Sequence, residues 1–305
     1  MNKNQPEKSG AVLTKSGGTA FTLAVVFSIT LSFLYSLIVT LVSKQSGLSV
    51  SEITAKNGVI ILSFFLGSLS VICALFATVL RAKIPFKTLT PEKPEDKFVY
   101  LPLALITFGF MFGLAEANNV FVSFLNKSGL NYGAVILPEK SPVNVILTIV
   151  FVCVIPPLAE EALFRGVLLN SLKGFGIWVA AAISAAAFSL FHMSPAQTVY
   201  QFIVGFLYAL VARKAKSYLP TAVSHIINNL YIVLNYYFWG FAPAGAAKIV
   251  LTACALVSLS AGVASLIFVH PEKGGDGDLN DSKTALKNMI LGFIVCGVMW
   301  IIGLF

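Results

Sequence analysis

The sequence predicts an all-α protein integral to a membrane, a polytopic helical bundle of about eight to nine transmembrane helices. Hydrophobic residues make up 57% of the 305-residue chain and charged residues only 11%, whereas soluble domains carry roughly 25% charged residues. The apolar runs are long and continuous and do not alternate, which favours membrane helices over the strands of a β-barrel. The lipid bilayer is therefore the expected environment of most side chains.

About nine apolar runs, separated by polar loops, are the predicted membrane helices. They cover residues 20–42, 58–80, 98–125, 143–172, 176–191, 196–212, 219–238, 247–269 and 285–305. The first run is too long for the apolar part of a signal peptide and is not followed by a small-residue cleavage pattern. It is therefore interpreted as the first membrane helix. The polar stretch before it, residues 1–19, carries three lysines and is expected to be a disordered tail.

Two polar loops are predicted to be solvated. Residues 81–97 form a charged loop interrupted by prolines, and residues 270–283 form a linker rich in Gly, Asp and Asn. Within this linker, the acidic stretch from Asp276 to Asp281 lacks the Gly and the terminal Glu of a calcium-binding loop. A solvated linker is therefore favoured over a calcium site.

The net charge of +8 is spread over many loops and is not concentrated in one basic stretch. Because a nucleic-acid-binding surface needs clustered basic residues, no nucleic acid partner is expected. Most of the 21 lysines and arginines fall in the loops on the same side of the membrane as the N-terminus. By the positive-inside rule, the N-terminus is predicted to lie in the cytoplasm.

Three charged residues, Glu160, Glu161 and Arg165, stand inside the fourth apolar run. A charge at the centre of a bilayer costs roughly 2.5–3.5 kcal/mol on insertion scales, so it persists where a polar interior needs it. On a helix, Glu161 and Arg165 are i,i+4 in the favourable order, while Glu160 projects about 100° away and lacks that partner. The spacing indicates one neutralised acid and one free acid. A structural ion-pair network of all three, or a position at the membrane surface, is the alternative.

Two further polar clusters stand in the apolar runs downstream. Phe188 and His192 end the fifth run, and His225, Asn228 and Asn229 lie in the seventh. Because His225 and Asn229 are i,i+4, both side chains can point into one cavity. A lone His in an apolar helix is typically a hydrogen-bonding residue between helices. Here two of the three histidines stand in polar clusters, which favours a functional site.

This set of residues suits a hydrolysis reaction that uses water. A carboxylate in a low-dielectric pocket is an effective general base near neutral pH, and a neutral His can orient the same water. A second His and an Asn amide can donate hydrogen bonds to a developing oxyanion. Glu160, His192 and His225 also match the two-His, one-Glu ligand set of a catalytic zinc site, although the His-Glu-x-x-His helix is absent.

In order and spacing, three motifs resemble those of the CPBP family, which comprises CAAX prenyl proteases and bacteriocin-processing enzymes and is also called Abi. They are Glu160-Glu161-x-x-x-Arg165, Phe188-x-x-x-His192 and His225-x-x-x-Asn229. The resemblance covers residues 143–240. It implies an intramembrane endopeptidase of the glutamate type with about eight helices, acting on a peptide or membrane-protein substrate within the bilayer.

The resemblance also implies a role for each motif residue. Glu160 and His192 would activate the water, while His225 and Asn229 would form the oxyanion site. The implied supporting residues are Glu161, Arg165, Phe188 and Asn228. No cofactor is expected, but some family members are described as metal-dependent, so a divalent metal such as zinc, held by Glu160, His192 and His225, stays open.

The third apolar run contains polar residues of its own, Glu116, Asn118 and Asn119. A Glu within such a run either faces a polar interior or lies near the outer edge of the membrane. The sequence leaves both interpretations open. In the first, Glu116 and Asn119 line a cavity or contact the substrate, and in the second they are interfacial.

The domain organisation follows from the extent of the resemblance. It comprises a polar tail (1–19), N-terminal transmembrane helices (20–142), a catalytic core (143–240) and C-terminal transmembrane helices (241–305). The apolar runs at both ends are not explained by the resemblance. The helix rise also places His192 about 24 Å and His225 about 9 Å from the inner ends of their helices. Tilted, kinked or re-entrant helices are needed to bring the two together.

A non-proteolytic membrane scaffold or bacteriocin-immunity protein that keeps the fold and binds a peptide is the competing hypothesis. The complete set of polar motifs favours the enzyme, because charges without a function are costly in lipid. The sequence does not define the substrate. Prenylated C-terminal peptides, bacteriocin leader peptides and the tails of membrane proteins all agree with it.

Overall fold

The computed structural model describes residues 5–130, 136–269 and 277–304, and within these ranges the chain is helical and contains no β-strand. The α-helices are α1 (Gln5–Ser46), α2 (Val50–Thr54), α3 (Asn57–Ala82), α4 (Tyr100–Gly109), α5 (Ala115–Lys127), α6 (Pro142–Thr148), α7 (Ile155–Glu161), α8 (Leu169–Ser171), α9 (Ile177–Phe191), α10 (Pro195–Ala215), α11 (Leu219–Leu234), α12 (Gly245–Ser265) and α13 (Leu279–Ile302). π-Helical turns continue several of them, at Phe110–Leu114, Ile149–Val154, Ala162–Leu168 and Asn235–Trp239. The predicted all-α fold is confirmed.

Within the described ranges, 7 helical segments are long and apolar enough to cross a membrane. They are residues 15–46, 57–82, 97–127, 142–171, 195–215, 245–268 and 279–302. The predicted fifth span forms α9, with 15 residues, and the predicted seventh forms α11 with the π-helical turn that continues it to Trp239; neither is among the 7. The protein is thus a polytopic helical membrane protein, and one of its predicted spans, α9, is a short helix.

The expectation of a disordered tail at residues 1–19 is wrong from Gln5 onwards, where α1 begins; residues 1–4 lie outside the described ranges. The last part of this stretch packs closely against other helices. A Cβ atom on Gly17 would clash with Oγ of Ser171, and one on Gly18 would clash with the carbonyl oxygen of Ala285. The helix therefore continues into the polar stretch because tertiary contacts stabilise it there.

The loop at residues 81–97 is not simply solvated. It forms a 3₁₀ turn at Phe86–Leu89 and lies against the connection between α10 and α11. The hydroxyl of Tyr218 donates to the carbonyl of Leu89, and Lys216 forms an ion pair with Glu95 at 3.1 Å. These contacts order the loop at one end of the bundle.

Of the predicted linker 270–283, residues 270–276 lie outside the described ranges, including the start of the acidic stretch. The described part of the linker contains the N-cap and the first turn of α13. The carboxylate of Asp278 accepts a hydrogen bond from the backbone N–H of Asn280 at 2.7 Å and so caps the N-terminus of α13.

Residues 142–171 form one continuous helical segment, called the core segment here. α1 packs along the core segment and against α3 and α13, and α11 packs across the core segment. α9 and α10 pair with each other through a short turn, and α4 pairs with α12. The helices at the two ends of the chain, α1 and α13, therefore pack against each other and against the helices of the core.

The contact between α1 and α13 predicts the effect of a small substitution. Gly18→Ala places a methyl group against the backbone of Ala285. We expect it to lower the free energy of unfolding by about 1–3 kcal/mol, because the two helices must separate to admit it. Thermal denaturation in detergent measures the change.

Gly67 in α3 provides the matched control, since no atom lies within 4 Å of its Cβ position. Gly67→Ala is expected to be neutral or to stabilise the protein by up to about 1 kcal/mol, because Ala favours the helix. Equal melting temperatures for the two variants would contradict the close contact of α1 with α13.

Candidate active site

Pro156 and Pro157 interrupt the backbone hydrogen bonding of the core segment. Neither proline has a backbone N–H. The carbonyl oxygen of Val152 therefore has no hydrogen-bond donor at position i+4, as in an α-helix, or at position i+5, as in a π-helix. The side-chain amide of Asn229 on α11 donates to this carbonyl oxygen at 2.9 Å. A residue of the third motif thus satisfies a polar group that the prolines leave free, and ties α11 to the core segment.

Glu161 and Arg165 form the i,i+4 ion pair that their spacing predicts, and both side chains are fully buried. Nη1 of Arg165 lies 3.0 Å from Oε1 of Glu161. The hydroxyl of Thr221 donates to Oε2 at 2.7 Å, and Nδ1 of His225 lies 3.3 Å from Oε1. Since an ionised carboxylate only accepts hydrogen bonds, Nδ1 of His225 carries a hydrogen. The carboxylate of Glu161 is therefore bound by Arg165 on its own helix and by Thr221 and His225 on α11.

Arg165 extends these contacts to α9 and α10. Its guanidinium carbon lies 4.3 Å from the ring centroid of Phe188 and 5.6 Å from that of Tyr208. Its Nη2 atom donates to the carbonyl of Gly205 at 3.4 Å. A cation over an aromatic ring is stabilised by about 2 kcal/mol or more when both are desolvated. One buried side chain thus links the core segment to two further helices.

Glu160 has a different environment from its neighbour Glu161. The Glu160 side chain is 15% exposed, and its Oε2 atom lies 4.0 Å from Nε2 of His225. This separation is longer than a direct hydrogen bond and suits a bridging water. Glu160 is therefore the accessible acid of the pair.

The ring of Phe188 brings the two motif histidines together. Its centroid lies 4.9 Å from that of His192 and 6.2 Å from that of His225. Nδ1 of His192 lies 2.8 Å from the carbonyl oxygen of Phe188. Because a carbonyl only accepts, Nδ1 carries the hydrogen and Nε2 of His192 is the acceptor nitrogen. The predicted spans place these two imidazoles at different depths in the membrane. In the structure both contact the same aromatic side chain, that of Phe188.

The turn after α9 explains part of this meeting. With 15 residues, α9 is about 22 Å long, which is less than the roughly 30 Å of a bilayer core. The chain then reverses directly into α10, and Met193 has a φ of +48°. This left-handed conformation costs a residue with a Cβ atom about 1–3 kcal/mol. The turn that carries His192 is thus short and strained.

Several polar residues around the site are missed by the sequence analysis. Ser224, next to His225 in the chain, contacts the hydroxyls of Tyr208 at 2.7 Å and of Thr107 at 2.6 Å. Tyr200, also missed, forms a side-chain hydrogen bond with Asn228. The signal for these residues is weak, because single hydroxyls are common in apolar helices.

Glu116 is paired with a residue outside the three motifs. Its carboxylate lies 2.5 Å from Nζ of Lys248 at the start of α12, and Asn119 donates to it at 3.4 Å. The Glu116 side chain is 26% exposed. These contacts favour the interfacial interpretation over the lining of a catalytic cavity.

Among the residues that the structure describes, no group of three His, Cys, Asp or Glu side chains could hold a metal ion. The alternative zinc ligands, Glu160, His192 and His225, are not such a group, and the metal alternative stays a prediction.

The buried ion pair predicts that one single substitution lowers the free energy of unfolding more than the double substitution does. Arg165→Leu leaves the Glu161 carboxylate buried without its cation. We expect this variant to lose roughly 3–5 kcal/mol in free energy of unfolding. The double variant Glu161→Leu, Arg165→Met removes both charges and should recover much of the folded yield in detergent.

The exposed pair of Lys216 and Glu95 is the control, since both side chains are more than half exposed. Glu95→Gln should change the free energy of unfolding by less than about 1 kcal/mol. A melting temperature of Arg165→Leu equal to that of wild type would show that the buried pair does not stabilise the fold.

One comparison with known proteins supports the three motifs. Residues 142–231 match the family model described as type II CAAX prenyl endopeptidase Rce1-like. The match begins at the first residue of α6 and includes all three motifs. Comparisons with curated proteins and with solved structures gave no match. Over residues 142–231 the chain is therefore similar to the Rce1-like family of CAAX prenyl endopeptidases.

Proposed function

We propose that the protein is an intramembrane endopeptidase in which Glu160 activates a water molecule. The observation that carries this proposal is the contrast between the two adjacent acids. Glu161 is buried and paired with Arg165 at 3.0 Å, whereas Glu160 is partly exposed and faces His225 across 4.0 Å. The family match of residues 142–231 supports a protease of the CAAX type.

In the proposed reaction, Glu160 takes a proton from the water while the water oxygen attacks the scissile carbonyl carbon. The acceptor nitrogen of His192, Nε2, holds the second hydrogen of the water and orients it. Attack produces a tetrahedral intermediate with a negative oxygen. The proton on Glu160 then passes to the leaving nitrogen, the C–N bond breaks, and a carboxyl group and an amine are released.

Asn229 is proposed as one donor to the oxyanion. Its amide nitrogen has two hydrogens, and the bond to the Val152 carbonyl uses one of them. That bond fixes the orientation of the amide, so the second hydrogen has a defined direction. Such a preorganised donor typically contributes about 10²–10³ in kcat.

His225 is proposed as the second donor. Because its Nδ1–H faces Glu161 at 3.3 Å, its Nε2 can donate only when the imidazole is protonated. The hydrogen bond to the carboxylate of Glu161 fixes the orientation of this imidazole ring. Glu161 and Arg165 therefore act on the reaction through His225, and Phe188 and Asn228 support the walls of the site.

The proposed substrate is a peptide segment that reaches the site from the bilayer. Peptides with a prenylated Cys followed by three residues are the first probes, because the matched family is described as prenyl endopeptidases. Leader peptides and membrane-protein tails are the next. We also propose that the N-terminus lies in the cytoplasm. Protease removal of an N-terminal tag from sealed vesicles of known orientation tests that placement.

The proposal predicts the behaviour of two substitutions at the base. Glu160→Gln and Glu160→Ala should both lower turnover by roughly 10²–10⁴, because neither side chain accepts a proton from water. Glu160→Gln should still bind substrate, since its shape is unchanged. The assay is cleavage of a farnesylated peptide by purified protein in liposomes, with Glu95→Gln as the control that retains activity.

A comparison of membrane peptides from cells that carry wild type or Glu160→Ala extends the test to other substrates. The proposal requires at least one peptide whose length depends on Glu160. If the two peptide sets are identical and Glu160→Gln keeps the cellular phenotype, the protein acts as a scaffold.

A further inference from the structure

The C-terminal end of α13 contacts the turn between α9 and α10. Nε1 of Trp300 donates a hydrogen bond to Oγ1 of Thr198 at 2.6 Å. A Cβ atom on Gly303 would lie 3.2 Å from Cδ of Pro195 and 3.4 Å from the carbonyl oxygen of Met193. A polar contact and a close apolar contact therefore join the last described helix to this turn.

Thr198 connects α13 to both sides of the turn. Its hydroxyl accepts from Trp300 and donates to the carbonyl of Ser194 at 2.9 Å. Its backbone carbonyl accepts from the hydroxyl of Ser189, on α9, at 2.7 Å. The hydrogen bonds from Trp300 through Thr198 to Ser194 run in one direction, and such chains polarise and strengthen one another.

The turn requires support of this kind because its backbone is strained. Met193, directly after His192, has a φ of +48°, a conformation that persists only where the surroundings enforce it. The imidazole of His192 depends on the same backbone, since its Nδ1 lies 2.8 Å from the carbonyl oxygen of Phe188. Relaxation at Met193 would therefore displace the His192 ring.

We propose that Trp300 and Thr198 are positioning residues, through which α13 fixes the turn and the direction of the Nε2 atom of His192. The proposal rests on the proposed function, in which His192 orients the attacking water. It assigns a catalytic purpose to a helix outside the family match, which ends at residue 231.

Matched substitutions test the hydrogen bond itself. Thr198→Val keeps the shape and removes the hydroxyl, whereas Thr198→Ser keeps the hydroxyl. Trp300→Phe removes the N–H and keeps a ring, and Trp178→Phe alters a ring that is 65% exposed on α9. Thr198→Val and Trp300→Phe should lower kcat about 10- to 100-fold, because small misplacements of a catalytic group have effects of this size. KM should change little, and the two control variants should behave as wild type.

The double variant Thr198→Val, Trp300→Phe should be no slower than Thr198→Val alone, because Thr198→Val already removes the hydrogen bond that Trp300→Phe removes. Additive losses in kcat, or equal losses in Thr198→Ser, would overturn the proposal.

The imidazole NMR signals of ¹⁵N-labelled histidines provide a readout that needs no substrate. The chain has 3 histidines, and His192→Gln identifies the signal of His192. In Thr198→Val and Trp300→Phe that signal should shift or broaden, while the signal of His225 stays in place. An unchanged His192 signal in both variants overturns the proposal. If wild type cleaves no peptide but the His192 signal moves as expected, the proposed function fails and the positioning contact stands.

Discussion

The buried ion pair between Glu161 and Arg165 is the interaction on which the rest of the site depends. Both side chains are fully buried, and at 3.0 Å each neutralises the other. A buried pair is costly to desolvate, so its stability depends on further contacts. Here these contacts come from other helices, namely from Thr221 and His225 on α11 and from Phe188 on α9. The contacts that stabilise the pair therefore also bring the helices of the site together.

The second constraint is the pair of prolines that precedes the acids. Pro156 and Pro157 leave the carbonyl of Val152 without a backbone donor, and Asn229 supplies one at 2.9 Å. α11 is thus attached to the core segment at two points, by Asn229 at the prolines and by Thr221 and His225 at Glu161. Between these two points along the core segment lies Glu160, the acid that is partly exposed. The polar residues that make the chain costly to insert into lipid are also those that hold its helices together.

Much of this site could be predicted from the sequence, because its acids, histidines and asparagine stand out in apolar helices and recur at i,i+4 spacing. The Glu161–Arg165 pair follows from helix geometry alone. The partners from other helices could not be predicted. Thr221 and the Val152 carbonyl are ordinary in sequence, and only packing brings them within hydrogen-bonding distance.

The same reason explains the differences in the fold. The all-α class and the apolar segments follow from hydropathy, which is a local property. The close packing of α1 at Gly17 and Gly18 against the core segment and α13 is a tertiary property, which no local pattern encodes. The role of α13 beside the α9–α10 turn is likewise a tertiary property, visible only once Trp300 is placed against Thr198.

We propose that a glutamate, and not a metal ion, activates the water. The most direct test is the peptidase activity of the purified protein after exhaustive chelation, measured beside its elemental composition. We expect full activity with no stoichiometric metal, because in the proposed mechanism Glu160 deprotonates the water and His192 orients it. Stoichiometric zinc, with activity lost on chelation and restored when zinc is added back, would contradict the proposed mechanism.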